Sequence, residues 1–320
     1  MTALTLKDAV IRYDRLTAVD GVSLELRRGE TLGLVGESGC GKSSVARAIV
    51  GLQPLAGGTL TIEGETLQDV SNQRRQALQR KIQLLFQDPA ASLSPRMTVR
   101  SLLAEPLKIR GTYTPESRAR IVDLAESIGL GEQLLSRYPH QLSGGQARRV
   151  ALVRALAAEP SIIVADEPTA GLDISVQGEL LNLLRALRDR LGLSYLLISH
   201  NLNVVGRVTD RVAVMYLGQI VESGPTAALF RAPAHPYTQA LLSANLTLDV
   251  SRRRERIVLS GELPSPSNPP SGCRFHRRCP LAQPKCAVDV PTLQASGERS
   301  VACHFPLATA PVVTPQAIAG

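Results

Sequence analysis

The run Gly36-Glu37-Ser38-Gly39-Cys40-Gly41-Lys42-Ser43, continued by Ser44, fits the pattern G-x-x-x-x-G-K-[ST]. Glycines let successive backbone N–H groups turn inward around phosphate oxygens, and a helix that begins there adds the positive end of its dipole. Lys42 then reaches the terminal phosphates of a nucleotide, and the Ser43 hydroxyl is placed to hold Mg²⁺. Two acids, Asp166 and Glu167, close the apolar run Ser161 to Ala165. Acids at the carboxyl end of a buried parallel strand lie where α/β sheets bind ligands. Asp166 is expected to hold the same Mg²⁺, and Glu167 to polarise the water that attacks the γ-phosphate. A second glycine-rich helix start, Leu142-Ser143-Gly144-Gly145-Gln146, combines a good N-cap with exposed backbone donors. One nucleotide loop does not need two anion sites, so this second one is expected to meet a phosphate held by another copy.

Strands and helices must bring these groups together. A continuous apolar run, Thr31 to Val35, precedes the loop and suits a buried parallel strand. Helical spacing follows from Lys42, with Val45, Ala46, Ile49 and Val50 on one side. Further strands are expected over 5–13, 22–26, 59–62, 82–86, 161–165 and 194–199, with a hairpin over 211–222 and a helix over 176–191. Between Asp88 and about Pro160 the spacing is helical throughout, over 99–109, 115–128 and 144–158, which reads as an inserted helical lobe. Strands alternating with helices predict an α/β fold around a parallel sheet. After Pro236 the character changes. Arg252 to Arg254 form a charge run, and Pro264, Pro266, Pro269 and Pro270 predict a linker or extended arm. Leu307 to Gly320 lack charge and period and are expected to be disordered.

The 320 residues are 44% apolar and 20% charged, which excludes collagen-like, mucin-like and wholly disordered chains. Aromatics are only 3% and Trp is absent, so the core is expected to be aliphatic. No apolar run reaches the roughly 18 residues of a membrane span, and the N-terminus lacks the basic-then-apolar order of a secretory leader. The chain is therefore expected on the cytosolic side. A net charge of +8 and a pI of about 9.6 admit phosphates, an anionic membrane surface or nucleic acid. Tyr and Phe are scarce and not interleaved with Arg and Lys, so no nucleic-acid partner is expected.

With L-S-G-G-Q standing between the phosphate loop and the D-E strand end, residues 3–235 resemble the ATP-binding-cassette ATPases. The resemblance implies a P-loop NTPase fold with an antiparallel β subdomain and an inserted helical subdomain at about 88–160. Residues 1–235 would be the nucleotide-binding domain and 236–320 a Cys-rich extension. It implies that Tyr13 stacks on adenine, that Gln87 senses Mg²⁺ and the γ-phosphate, that Asp173 belongs to the D-loop at 170–173, and that His200 is the switch histidine. It also implies a head-to-tail dimer in which each ATP lies between one phosphate loop and the partner's Ser143 to Gln146. Ala147-Arg148-Arg149 departs from the family's usual residues after the signature and leaves helix-surface contacts open. Phe86 to Val99, His235 to Leu242 and the proline-cysteine tail resemble more closely the ATPase subunits of oligopeptide, dipeptide and nickel importers. Such a subunit would hydrolyse ATP at the cytoplasmic face of the inner membrane. It would work with a paralogous cassette, two integral permeases and an extracytoplasmic binding protein, the helical lobe receiving the permease. Peptides are the expected cargo; nickel or another small solute, or a soluble role outside transport, are the alternatives.

Five cysteines remain. Cys40 lies in the phosphate loop, where a helix N-terminus can lower a thiol pKa, or where a small residue simply fits. Cys273, Cys279, Cys286 and Cys303 are spaced C-x5-C-x6-C-x16-C. Clustered cysteines in a cytosolic chain point to a metal before a disulfide, and soft thiolates to zinc or an iron–sulfur cluster. No evident apolar core surrounds them, so a metal would supply the missing stability. Some members of the resembled subfamily carry a [4Fe–4S] cluster there, which makes that the expectation, with zinc and metal-free thiols as alternatives. His276 and His304 are candidate substitute ligands.

Overall fold

The computed structural model describes residues 1–86, 92–244, 257–259, 261–262 and 264–308. The chain opens with β1 (Thr2–Tyr13) and β2 (Leu16–Arg27), then runs through β3 (Thr31–Val35), α1 (Lys42–Ile49), β4 (Gly57–Ile62), β5 (Glu65–Thr66) and α2 (Asn72–Gln79) to β6 (Ile82–Leu85). Helices α3 (Val99–Arg110), α4 (Pro115–Ser127) and α5 (Gly144–Ala157) follow. The sheet resumes with β7 (Ile162–Asp166), α6 (Ile174–Leu191), β8 (Ser194–Ser199), α7 (Leu202–Val208), β9 (Arg211–Tyr216) and β10 (Gln219–Pro225). Helices α8 (Thr226–Arg231), α9 (Pro236–Ser243) and α10 (Pro284–Val288) and strands β11 (Gln294–Ser296) and β12 (Arg299–Val301) complete it.

Two sheets share the work. The order β2-β1-β4-β5 is antiparallel throughout, and the order β11-β12-β10-β9-β3-β8-β7-β6 has a parallel centre, β9 to β6, with an antiparallel edge. Strand alternation on β7 divides the core. Ile163 and Ala165 face the helical lobe, in one cluster with Leu102, Leu103, Val150 and Val153. Ile162 and Val164 face the other way, in a cluster with Leu6, Ile11, Val45 and Ile49 from the antiparallel sheet and α1. As the scarcity of rings requires, both clusters are almost wholly aliphatic. A third cluster is different: Tyr216, Tyr237 and Phe275 are each at most 1% exposed and meet edge-on or tilted, with ring centroids 4.6 to 5.4 Å apart.

The expected α/β fold, the antiparallel sheet and the helical lobe are all present. β1 begins at Thr2 rather than at residue 5, and α6 at Ile174 rather than at 176. The hairpin expected over 211–222 is present as β9 and β10, and β9 also pairs in parallel with β3 inside the main sheet. Nothing in the sequence points to β11 and β12, whose residues show no apolar alternation. They extend the main sheet through the pairs Glu222–Val301 and Ser223–Ser300. Gln87, the start of the lobe at residue 88, the charge run at 252–254 and residues 309–320 lie outside the described residues.

Candidate functional site

The chemistry-bearing residues hang on the carboxyl ends of three adjacent parallel strands, β3, β8 and β7. The loop after β3 is shaped by its glycines. A Cβ on Gly36 would stand 2.1 Å from the Met215 carbonyl oxygen. Gly41, the N-cap of α1, has φ 107°, and a Cβ there would lie 2.4 Å from the Ala18 carbonyl oxygen. Lys42 is only 6% exposed, and its Nζ donates at 2.9 Å to both the Gly36 and the Glu37 carbonyl oxygens. The ammonium is thus tucked under the loop it belongs to. Cys40 is buried, and burial pushes its thiol up against the opposing pull of Lys42. The structure therefore fits Cys40 as a small space-filling residue, not as an activated thiol.

Asp166 ends β7. The Ser43 hydroxyl lies beside its carboxyl and pulls its pKa down, while Oδ1 is buried without a partner. Burial, reinforced by the neighbouring Glu167 charge, raises its pKa above the ordinary aspartate range. A buried carboxylate oxygen with no donor, beside a hydroxyl, fits the hard oxygen donors that Mg²⁺ requires. Glu167 follows with φ 49°, a left-handed conformation uncommon outside glycine, and its N–H donates to the Ile198 carbonyl oxygen at 2.9 Å. That turn carries the carboxylate across to the end of β8. There Glu167 Oε1 stands 2.9 Å from His200 Nδ1, with Glu167 18% and His200 58% exposed. The segment after Glu167 is held by two side chains that the sequence did not single out for it. Arg148 donates to the Pro168 and Ala170 carbonyl oxygens at 3.2 and 3.0 Å, and Gln177 Nε2 donates to that of Leu172 at 2.8 Å. Arg148 belongs to the stretch that departs from the family pattern, and there it contacts the turn after Glu167. Asp173 sits at the N-cap of α6 without a side-chain cap bond.

Ser143 caps α5. Its hydroxyl accepts the Gln146 N–H at 3.2 Å, and Gln146 Oε1 accepts the Ser143 N–H at 3.0 Å, a reciprocal capping box. Between them Gly144 and Gly145 have nothing beyond their chain neighbours and the backbone of α5 within 4 Å of where a Cβ would be. Ser143, Gly145 and Gln146 line a cleft with Arg149, Leu172 and Val176 rather than with the phosphate loop. Tyr13 ends β1 half-buried against the antiparallel-sheet core, with its hydroxyl shut away and unpartnered.

The H-P-Y run of the tail proves to be part of this neighbourhood. His235 is 1% exposed and caps α9, its Nδ1 accepting the Tyr237 N–H at 3.0 Å; burial drives its pKa down to about 3, so it is neutral. Pro236 is the first residue of that helix, a position that needs no N–H. The Tyr237 hydroxyl accepts the N–H of Glu37 at 2.9 Å, inside the phosphate loop, and Arg278 pairs with the Glu37 carboxylate. Sequence matching marked H-P-Y without giving it a partner, and nothing in the local sequence around Arg278 announces a contact so far away.

The expectation of a [4Fe–4S] cluster finds no support among the described residues. Cys273, Cys279, Cys286 and Cys303 are free thiols, and among the described residues no group of three or more His, Cys, Asp or Glu side chains is arranged to hold a metal. Burial first, and neighbouring cysteines after it, raise the pKa of Cys273, Cys279 and Cys303, the last to about 11. His276 Nδ1 and His304 Nε2 instead lie 2.8 and 2.9 Å from the carbonyl oxygens of Cys273 and Asp289. The premise that the segment lacks a core also fails. Phe275 anchors it in the aromatic cluster, and the Cys273 N–H donates to the Cys286 carbonyl oxygen at 2.8 Å.

Comparison with known proteins bears on the whole arrangement. Residues 19–170 match the ABC transporter family, and residues 221–286 match the oligopeptide/dipeptide transporter C-terminal region. The oligopeptide transport ATP-binding protein OppF of Escherichia coli (strain K12) is 48% identical, over 90% of this chain and 87% of its own. The di/tripeptide transport ATP-binding protein DppF of Pseudomonas aeruginosa (strain UCBPP-PA14) is 43% identical, over 95% and 97%. Among solved structures, cbiO1 from Clostridium perfringens, part of the ABC transporter complex cbiONQ, superposes with a TM-score of 0.65 at 28% identity, over 72% of this chain and 91% of its own. Identity of nearly half along nine-tenths of the sequence, with cassette and tail in the same order, leaves one assignment: the chain belongs to the ABC transporter family, as an ATP-binding cassette that carries the oligopeptide/dipeptide-transporter C-terminal region.

Proposed function

We propose that the chain is the ATP-hydrolysing subunit of a membrane importer for di- and oligopeptides. The observation that carries the reading is the union of an ABC cassette with the peptide-transporter tail, along a chain whose acid–histidine pair is intact. In the working cycle Lys42 leaves the carbonyl oxygens of Gly36 and Glu37 for the phosphate oxygens of ATP. Ser43 and Asp166, with Gln87, hold Mg²⁺, which when bound neutralises phosphate charge. Glu167 accepts the proton of the attacking water, and His200, hydrogen-bonded to Glu167 Oε1, keeps that carboxylate aimed. Tyr13 supports the adenine ring.

Ser143, Gly144, Gly145 and Gln146 serve the nucleotide of a second cassette, a paralogue of this chain, across a head-to-tail dimer that includes the D-loop with Asp173. The open space around Gly144 and Gly145 supports this. Two permeases and an extracytoplasmic binding protein complete the importer, with this chain on the cytoplasmic face of the inner membrane. A groove beside the helical lobe, lined by Leu52, Phe86, Glu105, Ile109 and Arg154, supports permease docking, because Leu52, Phe86 and Ile109 are 63%, 48% and 79% exposed. In this reading residues 1–235 bind and hydrolyse the nucleotide, and residues 236–320 form an extension that braces them.

The test is reconstitution of the chain with its permeases, second cassette and binding protein in proteoliposomes. Short peptides are expected to stimulate ATP hydrolysis and to accumulate inside, and Glu167→Gln to abolish both. Stimulation by nickel but not by peptides would overturn the cargo. Failure to co-purify with integral permeases would overturn the transport role.

A further inference from the structure

Besides Tyr237, the tail reaches the phosphate loop through a side chain 241 residues downstream of Glu37. Arg278 Nη1 donates to Glu37 Oε2 at 2.7 Å, and Nη2 donates to Glu37 Oε1 at 3.1 Å. The guanidinium is 10% exposed and its carbon lies 6.0 Å from the centroid of the Tyr216 ring. A planar fork on both oxygens of a carboxylate fixes orientation as well as charge, which a lysine could not do. The segment that carries Arg278 is itself anchored. Phe275 packs on Tyr216 and Tyr237, Arg274 donates to the Leu217 carbonyl oxygen and to Asp20, and the Cys273 N–H closes on Cys286.

Glu37 places a negative charge in a loop that surrounds phosphates, and that charge opposes theirs. Its backbone is also central: its N–H donates to Tyr237 Oη at 2.9 Å, and its carbonyl oxygen accepts from Lys42 Nζ at the same distance. We propose that Arg278 is a positioning residue for nucleotide binding. It neutralises Glu37 and pins the second residue of the phosphate loop, so that the affinity of the loop for ATP depends on the folded Cys-rich tail. The proposal rests on ATP binding by this loop; a wild-type chain that binds no ATP would refute that reading and leave the Arg278 contact itself unjudged.

The experiment measures ATP affinity of the full chain by titration, and KM and kcat in the assembled importer, for Arg278→Ala, Arg278→Lys and Arg278→Ala combined with Glu37→Gln. Losing the partner of a hydrogen-bonded charge should weaken ATP binding on the order of 10- to 100-fold in Arg278→Ala, and raise KM more than it lowers kcat. Because the uncompensated Glu37 charge causes the loss, Glu37→Gln in the same chain should restore most of it, and Arg278→Lys should fall between. A purely structural strut gives another pattern: a lower melting temperature with unchanged ATP affinity, or a loss that Glu37→Gln leaves untouched. Either result overturns the proposal. Wild-type protein supplies a check free of folding defects. Coupling is reciprocal, so ATP must slow amide hydrogen exchange across residues 273–279, and unchanged exchange there also overturns it.

Discussion

Asp166→Asn should separate folding from function with opposite signs. The Asp166 carboxyl is half-buried, with the Ser43 hydroxyl beside it and Oδ1 orphaned. Its folded pKa is raised, by burial first and by Glu167 after it. The folded state then holds the Asp166 proton more tightly than the unfolded chain does, so stability falls as pH rises from the unfolded pKa, about 3.9, through the raised one. The penalty is therefore larger at pH 7 than at pH 4. Leaving a buried polar group unsatisfied costs roughly 1–3 kcal/mol, and asparagine keeps the Ser43 contact while removing the charge. About 1 kcal/mol should return, a rise in melting temperature of roughly 2 °C for a chain of this length. Mg-ATP should reverse the order, stabilising the wild type strongly and the variant little, and the variant should lose ATPase activity. Scanning fluorimetry from pH 8 toward pH 4, with and without Mg-ATP, reads all of this. A nucleotide-free variant that melts at or below wild type at pH 7, or an advantage that does not shrink toward pH 4, would refute the reasoning.

Glu167→Gln should bind ATP but hydrolyse it about 10²–10⁴-fold more slowly and accumulate as a closed dimer on gel filtration, whereas wild-type turnover would remove Glu167 from the mechanism. Gly145→Asp introduces a carboxylate where nothing beyond its chain neighbours and the backbone of α5 lies within 4 Å, so the isolated chain should keep its ATP affinity while the dimer stops hydrolysing; a matching loss of affinity in the monomer sinks the assignment in trans. Cys40, 2% exposed and held above its usual pKa, should resist iodoacetamide in the native chain at neutral pH, as peptide mass spectrometry would reveal. Alkylation there as fast as in unfolded protein would contradict its packing.

The parts that were legible in the sequence are those whose function fixes local spacing. The loop around Gly36 and Gly41, the acids after β7 and the capped start of α5 each depend on neighbours within a few residues, and the structure has them at the ends of the expected strands and helix. The parts that were not legible depend on distant partners. Arg148 reads as a helix-surface residue until the turn after Glu167 comes beneath it. Gln294 to Ser296 and Arg299 to Val301 carry no strand pattern, because they pair at a sheet edge where one side chain in two need not be apolar. The cysteine tail misled for a related reason: with one buried ring, Phe275, reaching into a core built by other segments, the local sequence looks coreless when the fold is not.

The antiparallel edge of the main sheet also sets a timetable for synthesis. Glu222 on β10 is fully buried, accepting the backbone N–H groups of Ala234 and His235 and a hydrogen bond from Arg299 of β12. Glu37 leaves the ribosome 241 residues before Arg278, an interval of roughly 12–48 s at 5–20 residues per second. Until β12 emerges, β10 shows unpaired backbone along its outer edge, which invites pairing with foreign strands, and Glu222 has no cation beside it. A chain truncated before Arg299 would keep that edge open and leave the buried Glu222 carboxylate without Arg299 beside it.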